Sequence, residues 1–259
     1  MNNLMLMVTL APVVSVGLLV FSLLACDGHP SPARDAGAPE PGSESTEGTL
    51  FGVKVTSYVI LSRGEVAQVG VRIPLSAIES APTDAPFQND LVLDMPEAAK
   101  QQPFLSQLRV NWLAHGHGPA PDGGPHFDFH FYRGSTSEID AISCGGAAEF
   151  PPEILTADHE RPSSCVPGMG YHAWPRADTL PDATFSASLI LGYVPTQLVF
   201  IEPMITQATL LEKRDFELSI TPPNKNGAAP TRYPTLMRAR DEPDSESYQL
   251  EFDVFVDLD

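Results

Sequence analysis

The sequence predicts a mainly β fold, a β-sandwich or barrel-like domain with short helical insertions. Three observations carry that expectation: many short runs of alternating apolar and polar residues, 26 prolines and 19 glycines among 259 residues, and only one or two stretches with helix signals. Alternation of period two sorts side chains onto the two faces of a sheet. Frequent Pro and Gly keep elements short and argue against a helical bundle.

Phe51, Val53 and Val55 alternate with Gly52 and Lys54, and an apolar Tyr58–Leu61 run follows before Ser62-Arg63-Gly64 turns the chain. Val69, Val71 and Ile73 alternate again, so a two-stranded hairpin is expected. Asp94-Met95-Pro96-Glu97-Ala98-Ala99-Lys100 has a capping candidate, Pro at the entry and good helix formers, which predicts a short helix before Pro103. Leu108, Val110 and Trp112 form the next alternating run. A helical turn is expected within 135–142. The apolar stretches 184–194 and 197–201, separated by Pro195-Thr196, suit packed strands. Phe216, Leu218 and Ile220 alternate, and at the end Tyr248, Leu250, Phe252, Val254 and Val256 are expected on one face.

Residues 1–25 carry no charged side chain and are nearly continuously apolar from Leu4 to Leu24, which reads as a signal peptide. The stretch ends in Leu23-Leu24-Ala25-Cys26, a tetrapeptide that resembles the lipobox of bacterial lipoproteins and would make Cys26 the lipidated first residue. At about twenty residues the apolar run is also long enough to span a bilayer uncut; either way the domain is tethered to a membrane on its extracytoplasmic side, in the cell envelope. Several acyl chains hold firmly where one does not, because each buried methylene contributes roughly 0.8 kcal/mol. Residues 26–48 are rich in Pro, Gly, Ala, Ser and acids and lack large apolar side chains, so they read as a flexible linker. A single β-rich domain is expected over 49–259.

Fifteen Lys and Arg face 33 Asp and Glu, a formal charge of -18. Such a field excludes nucleic acid as a natural partner and favours cations. With Cys26 assigned to lipid, Cys144 and Cys165 remain, an even pair suited to a disulfide in an oxidising compartment. Two thiolate metal ligands are the rival reading; neither cysteine has a second Cys or His at ligand spacing beside it.

Four of the seven histidines, His115, His117, His126 and His130, fall within sixteen residues. On an extended Pro125–Tyr132 segment, His126, Asp128 and His130 share one face while Phe127, Phe129 and Phe131 share the other. Imidazole nitrogen and carboxylate oxygen are the donors that zinc, manganese, iron and copper take. His126 and His130, about 13 Å apart on a regular strand, cannot both reach one ion, whereas either can share one with Asp128. His172, in a glycine-rich turn, and Glu202, read as ending an apolar strand, are further candidates. These side chains admit two readings, a divalent metal site or a polar network that holds loops by hydrogen bonds. A cupin-like site built on His115-x-His117 with Glu202 is a weaker variant of the first. Neither His-Glu-x-x-His nor Gly-x-Ser-x-Gly occurs, so no reaction follows from motif.

Taken together, Gly116-His117-Gly118-Pro119, Pro125-His-Phe-Asp-Phe-His-Phe-Tyr132, Met169-Gly-Tyr-His172 and Phe200-Ile-Glu-Pro-Met-Ile-Thr206 are similar to a bacterial domain family of unknown function marked by Gly-His-x-Pro and Pro-His-Phe-Asp-Phe-His-Phe-Tyr. The similarity runs from about Leu91 to Ile205. It implies a secreted or envelope protein, a homo-oligomer as a further expectation, and His117, His126, Asp128, His130, His172 and Glu202 as the marked positions. It implies no activity.

Overall fold

The structure is a computed structural model and describes residues 42–102, 105–117, 124–145, 148–180, 183–227 and 230–258. The expected signal peptide, Cys26 and the expected linker up to residue 41 lie outside the described residues, as do residues 118–123 between the two histidine pairs. In chain order the strands are β1 (Ser43–Leu50), β2 (Val53–Ser62), β3 (Glu65–Pro74), β4 (Leu91–Asp94), β5 (Gln107–Leu113), β6 (His126–Tyr132), β7 (Ser164–Val166), β8 (Gly170–Ala173), β9 (Ala187–Val194), β10 (Gln197–Thr206), β11 (Phe216–Ser219), β12 (Thr231–Glu242) and β13 (Ser247–Leu258). Among the described residues they form two antiparallel sheets, β1-β2-β3-β13-β12-β11 and β4-β5-β6-β10-β9-β8-β7, packed together as a β-sandwich. Short helices α1 (Leu75–Glu79), α2 (Glu97–Gln101), α3 (Thr136–Asp140) and α4 (Gln207–Leu211) punctuate them. None is long and apolar enough to cross a membrane.

The expected β2–β3 hairpin forms, and its turn residues Arg63 and Gly64 both adopt positive φ, the geometry that a tight hairpin requires. The predicted helices appear as α2 and as α3, where Ser135 and Glu138 complete a capping box. Two features depart from expectation, at β1 and β13, and one strand, β12, lies where the sequence carries no clear strand signal. β1 takes in residues 43–48, which composition had assigned to the linker; their polar side chains sit on an edge strand whose backbone is satisfied by β2. β12 carries no clean alternation, and its Pro234 is tolerated because β11 covers only Leu236 to Ala239 on that side. In β13 the expected single face breaks at Val254, whose φ of +52° turns it outward, leaving it 57% exposed.

The main core lies between the sheets, where all three phenylalanines of β6 are buried. Phe131 meets Phe252 of the opposite sheet at 4.8 Å between ring centroids, and Phe127 packs on Trp112 at 4.5 Å. Each such burial contributes about 1.5–3 kcal/mol. The other face of β6 is buried too. A second apolar cluster of Tyr132, Ile139, Met169, Ile190, Val199, Phe200 and Met204, with Ile142, Val166, Trp174 and Phe185 against it, roofs the outside of the seven-stranded sheet.

That roof is stapled. Cys144 and Cys165 form a disulfide, with Cα atoms 5.8 Å apart, between the segment after α3 and strand β7. Closing a loop of this size constrains the unfolded chain by about 3 kcal/mol. Cys144→Ser with Cys165→Ser is therefore expected to lower the unfolding free energy from urea melts by about that amount; an unchanged midpoint would mean that the staple adds nothing to the roof.

Candidate metal centre

Between the roof and the seven-stranded sheet lie the polar residues of β6. His126, Asp128 and His130 are essentially inaccessible to solvent, as is Glu202. Register explains the grouping. Pairing of Ile201 with Phe131 and of Met204 with Asp128 puts Glu202 opposite His130, on the same face. Glu202 does not end its strand, as the sequence suggested; β10 continues through Pro203 to Thr206. A proline in the middle of a central strand removes a ladder donor beside Glu202, an unusual tolerance, with the register to β9 kept through Pro203.

β8 supplies His172. Its approach depends on Gly170, at φ +118°, where a Cβ would sit 2.7 Å from the Tyr193 carbonyl oxygen. His172 pairs with Gly192 of β9, and the Phe200 ring lies over Gly192 so closely that a Cβ there would stand 1.9 Å from it. Phe200 then walls both imidazoles, with centroids 5.0 Å from His130 and 5.1 Å from His172.

Two triads result, and within each one donor atom per residue lies within 4.8 Å of the others. In the outer triad, Asp128 Oδ1 lies 3.3 Å from His126 Nε2 and Oδ2 lies 3.3 Å from His117 Nε2. In the inner triad, Glu202 Oε1 lies 3.4 Å from His130 Nε2 and Oε2 lies 3.8 Å from His172 Nε2. His126 Nε2, Asp128 Oδ1, His130 Nε2 and Glu202 Oε2 are buried yet make no hydrogen bond within the protein. His117 Nε2 and Asp128 Oδ2 are hydrogen-bonded to each other; the other three approaches are close without being hydrogen bonds, which is what lone pairs converging on a shared cation produce.

At His126 and His172 the other ring nitrogen supports this orientation, while His130 Nδ1 is buried without a partner. His126 Nδ1 lies 2.7 Å from the Gly124 carbonyl oxygen and His172 Nδ1 lies 3.2 Å from that of Gly170. A carbonyl only accepts, so Nδ1 holds the proton and Nε2 presents its lone pair to the centre. His159 is the contrast. Its Nδ1 meets Thr156 and Asp158 and its Nε2 meets the Leu189 carbonyl at 2.9 Å, so both nitrogens of this buried histidine are used structurally.

Burial pushes His126, His130 and His172 below the ordinary imidazole value, farthest at His130, where charge on His172 and Arg109 acts the same way. Burial first, and then the charge of Asp128, pushes Glu202 well above the usual carboxylate range. The imidazoles are thus neutral, as metal ligation requires. In the metal-free chain below pH about 6.5 the unfolded state binds more histidine protons than the folded state. The stability these three contribute is complete above that pH and is lost as pH falls toward their folded values; Glu202 acts oppositely, one group against three. Urea melts in chelator are therefore expected to give a lower midpoint at about pH 5.5 than at about pH 7.5. A midpoint that rises on acidification contradicts neutral buried imidazoles.

Of the residues singled out from sequence, His117, His126, Asp128, His130, His172 and Glu202 come together. His115 does not: its imidazole is exposed and lies 3.7 Å from the equally exposed Asp84. The turn at Ala114-His115 directs successive side chains apart, so the His-x-His pair does not converge and no cupin-like cluster with Glu202 forms. Cys144 and Cys165 are bridged to each other, which removes them as thiolate ligands. Arg109 and Tyr132 escaped the sequence reading. Arg109 pairs with His130 in register, lies over the Tyr132 ring at 5.5 Å and reaches Asp140 at 2.9 Å. Its only sequence signal was a charge inside an apolar alternating run.

Residues 62–112 match a family described as TTHB210-like, hypothetical protein TTHB210. The match spans the end of β2 to β5 and contains none of the six clustered residues. No curated protein and no solved structure matches the chain.

Proposed function

We propose that this chain is a membrane-anchored extracytoplasmic lipoprotein whose β domain binds a divalent transition metal, zinc, manganese, iron or copper, through its His/carboxylate centre. One observation carries the metal reading: in the two His/carboxylate groups, His126 Nε2, Asp128 Oδ1, His130 Nε2 and Glu202 Oε2 are buried with no hydrogen-bond partner. Leaving such groups unpaired costs free energy that a cation would recover. A structural histidine network, as in an envelope scaffold or an oligomeric binding protein, is the alternative; in this chain His159 has the saturated pattern that such a role requires, whereas His126 Nε2 and both ring nitrogens of His130 have no hydrogen-bond partner.

The tether rests on Leu23-Leu24-Ala25-Cys26 followed by an acidic, proline-rich segment, and the disulfide suits the same compartment. Elemental analysis of untagged protein tests the metal: a stoichiometric transition metal is expected, and neither native content nor uptake on titration would sink the reading. Labelling cells with a fatty-acid probe tests the anchor. Incorporation that disappears in Cys26→Ala is expected, and equal labelling of both forms, or none, would refute lipidation at Cys26.

A further inference from the structure

We infer that the centre takes two ions rather than one, an exchangeable ion in the outer triad of His117, His126 and Asp128 and an enclosed ion in the inner triad of His130, His172 and Glu202. This rests on the metal-binding reading above and adds stoichiometry and inequality to it.

The first argument is geometric. Each carboxylate commits its two oxygens to the two imidazoles of its own triad, Asp128 to His126 and His117, Glu202 to His130 and His172. Asp128 and His130 are two positions apart on β6, so their Cα atoms stand about 6.6 Å apart along the strand, and His126 lies as far beyond Asp128. Metal–nitrogen bonds are only about 2.0–2.1 Å long. An ion seated among the inner donors therefore leaves His126, about 13 Å from His130 along the strand, out of reach, with its buried Nε2 unpartnered and Asp128 turned toward it.

The second argument is charge. With one ion, one triad keeps a buried carboxylate without a counter-charge, the situation that costs most in a dry interior. With two, each divalent ion meets one carboxylate and two neutral imidazoles. That donor set is the one that catalytic zinc and non-haem iron sites use, with further coordination positions open to water or another oxygen ligand. The remaining positive charge per ion suits hydroxide or a small oxyanion there.

The third argument is access. The His117 side chain is 41% exposed, so the outer triad opens to solvent through it. In the inner triad His130 and Glu202 are each 2% exposed and His172 14%, beneath Phe200 and the stapled roof. Ligand exchange at the inner position requires the roof to move. Exchange at the outer one requires only His117 to swing away.

The test uses the full chain, stripped with chelator and titrated with Co2+, whose visible absorption reports ligation. The expected titration breaks at two equivalents, and chelator then removes the metal in two phases of equal amplitude and different rate. His117→Ala, at a half-exposed position where folding is least at risk, is expected to remove the fast phase and leave one slowly released equivalent. His172→Ala should leave the fast one. A break at one equivalent in the unmutated chain overturns the inference while metal binding itself stands. Two equivalents released in a single phase overturn the inequality. Absence of any Co2+ signal sinks the metal-binding reading and this inference with it.

Discussion

Saturating the metal-free protein with Zn2+ is expected to raise its melting temperature by roughly 10 °C. A ligand that binds only the folded state adds about 4 kcal/mol when present at a thousand times its dissociation constant, and a domain of this size gains 2–4 °C per kcal/mol. The unfolded chain cannot compete well, because the six clustered residues come from strands β6, β8 and β10 and the segment after β5 and meet only in the folded sheet. The gain should be larger at higher pH within the neutral range, since the ion must replace the proton on Glu202, whose carboxyl is held well above the usual range by burial and by Asp128. Differential scanning calorimetry with and without EDTA measures it. A melting temperature indifferent to chelator and to each of the four candidate metals would leave the centre as a polar network.

Much of this arrangement was legible in the sequence, and the reasons are local. The period of two in Pro125–Tyr132 puts His126, Asp128 and His130 on one face whatever sheet the strand joins, and the strand rise forbids His126 and His130 from sharing an ion. Both inferences hold because they need only backbone geometry. His117 and His115 could not be told apart, since two residues flanking Gly116 diverge or converge according to the turn, and Gly116, whose N–H closes the turn on the Leu113 carbonyl at φ +65°, signals a turn but not its direction. Glu202 was read as a strand end because proline is expected to terminate a ladder; the sheet instead tolerates Pro203 beside the polar cluster. The roof was not foreseeable at all. Its residues come partly from predicted strands, as Tyr132, Ile190 and Phe200 do, and partly from segments without periodicity, as Ile139 and Met169 do, and only tertiary packing makes them one layer. Composition misled at the start of the domain, where β1 has the content of a linker but the register of an edge strand. The Val254 reversal in β13 is likewise a backbone event, one residue at φ +52°, that alternation cannot announce.

Glu202→Leu separates a ligand from a structural carboxylate most sharply, because its effect on stability is expected to change sign with metal. In chelator the wild-type protein buries a carboxyl group whose Oε2 has no partner, beside the charge of Asp128 and among Phe200, Ile190 and Met204. Leucine fills similar volume without a polar atom, so the metal-free variant should be more stable than wild type by about 1–3 kcal/mol. The advantage has a definite pH dependence. A carboxyl whose folded-state pKa is raised contributes stability that is present below its ordinary value and is lost as pH rises through the raised one, so the gain on removing it grows with pH. With Zn2+ present the order should reverse, since the variant has lost the only carboxylate of the inner triad and with it a large part of the stabilisation that the metal confers. Urea unfolding of both proteins in EDTA and in Zn2+ gives the four midpoints needed. If Glu202→Leu lowers stability equally in both media, Glu202 is a hydrogen-bonded structural group and the inner triad holds no ion; if it raises stability in EDTA and lowers it in Zn2+, the buried carboxylate is there for the metal.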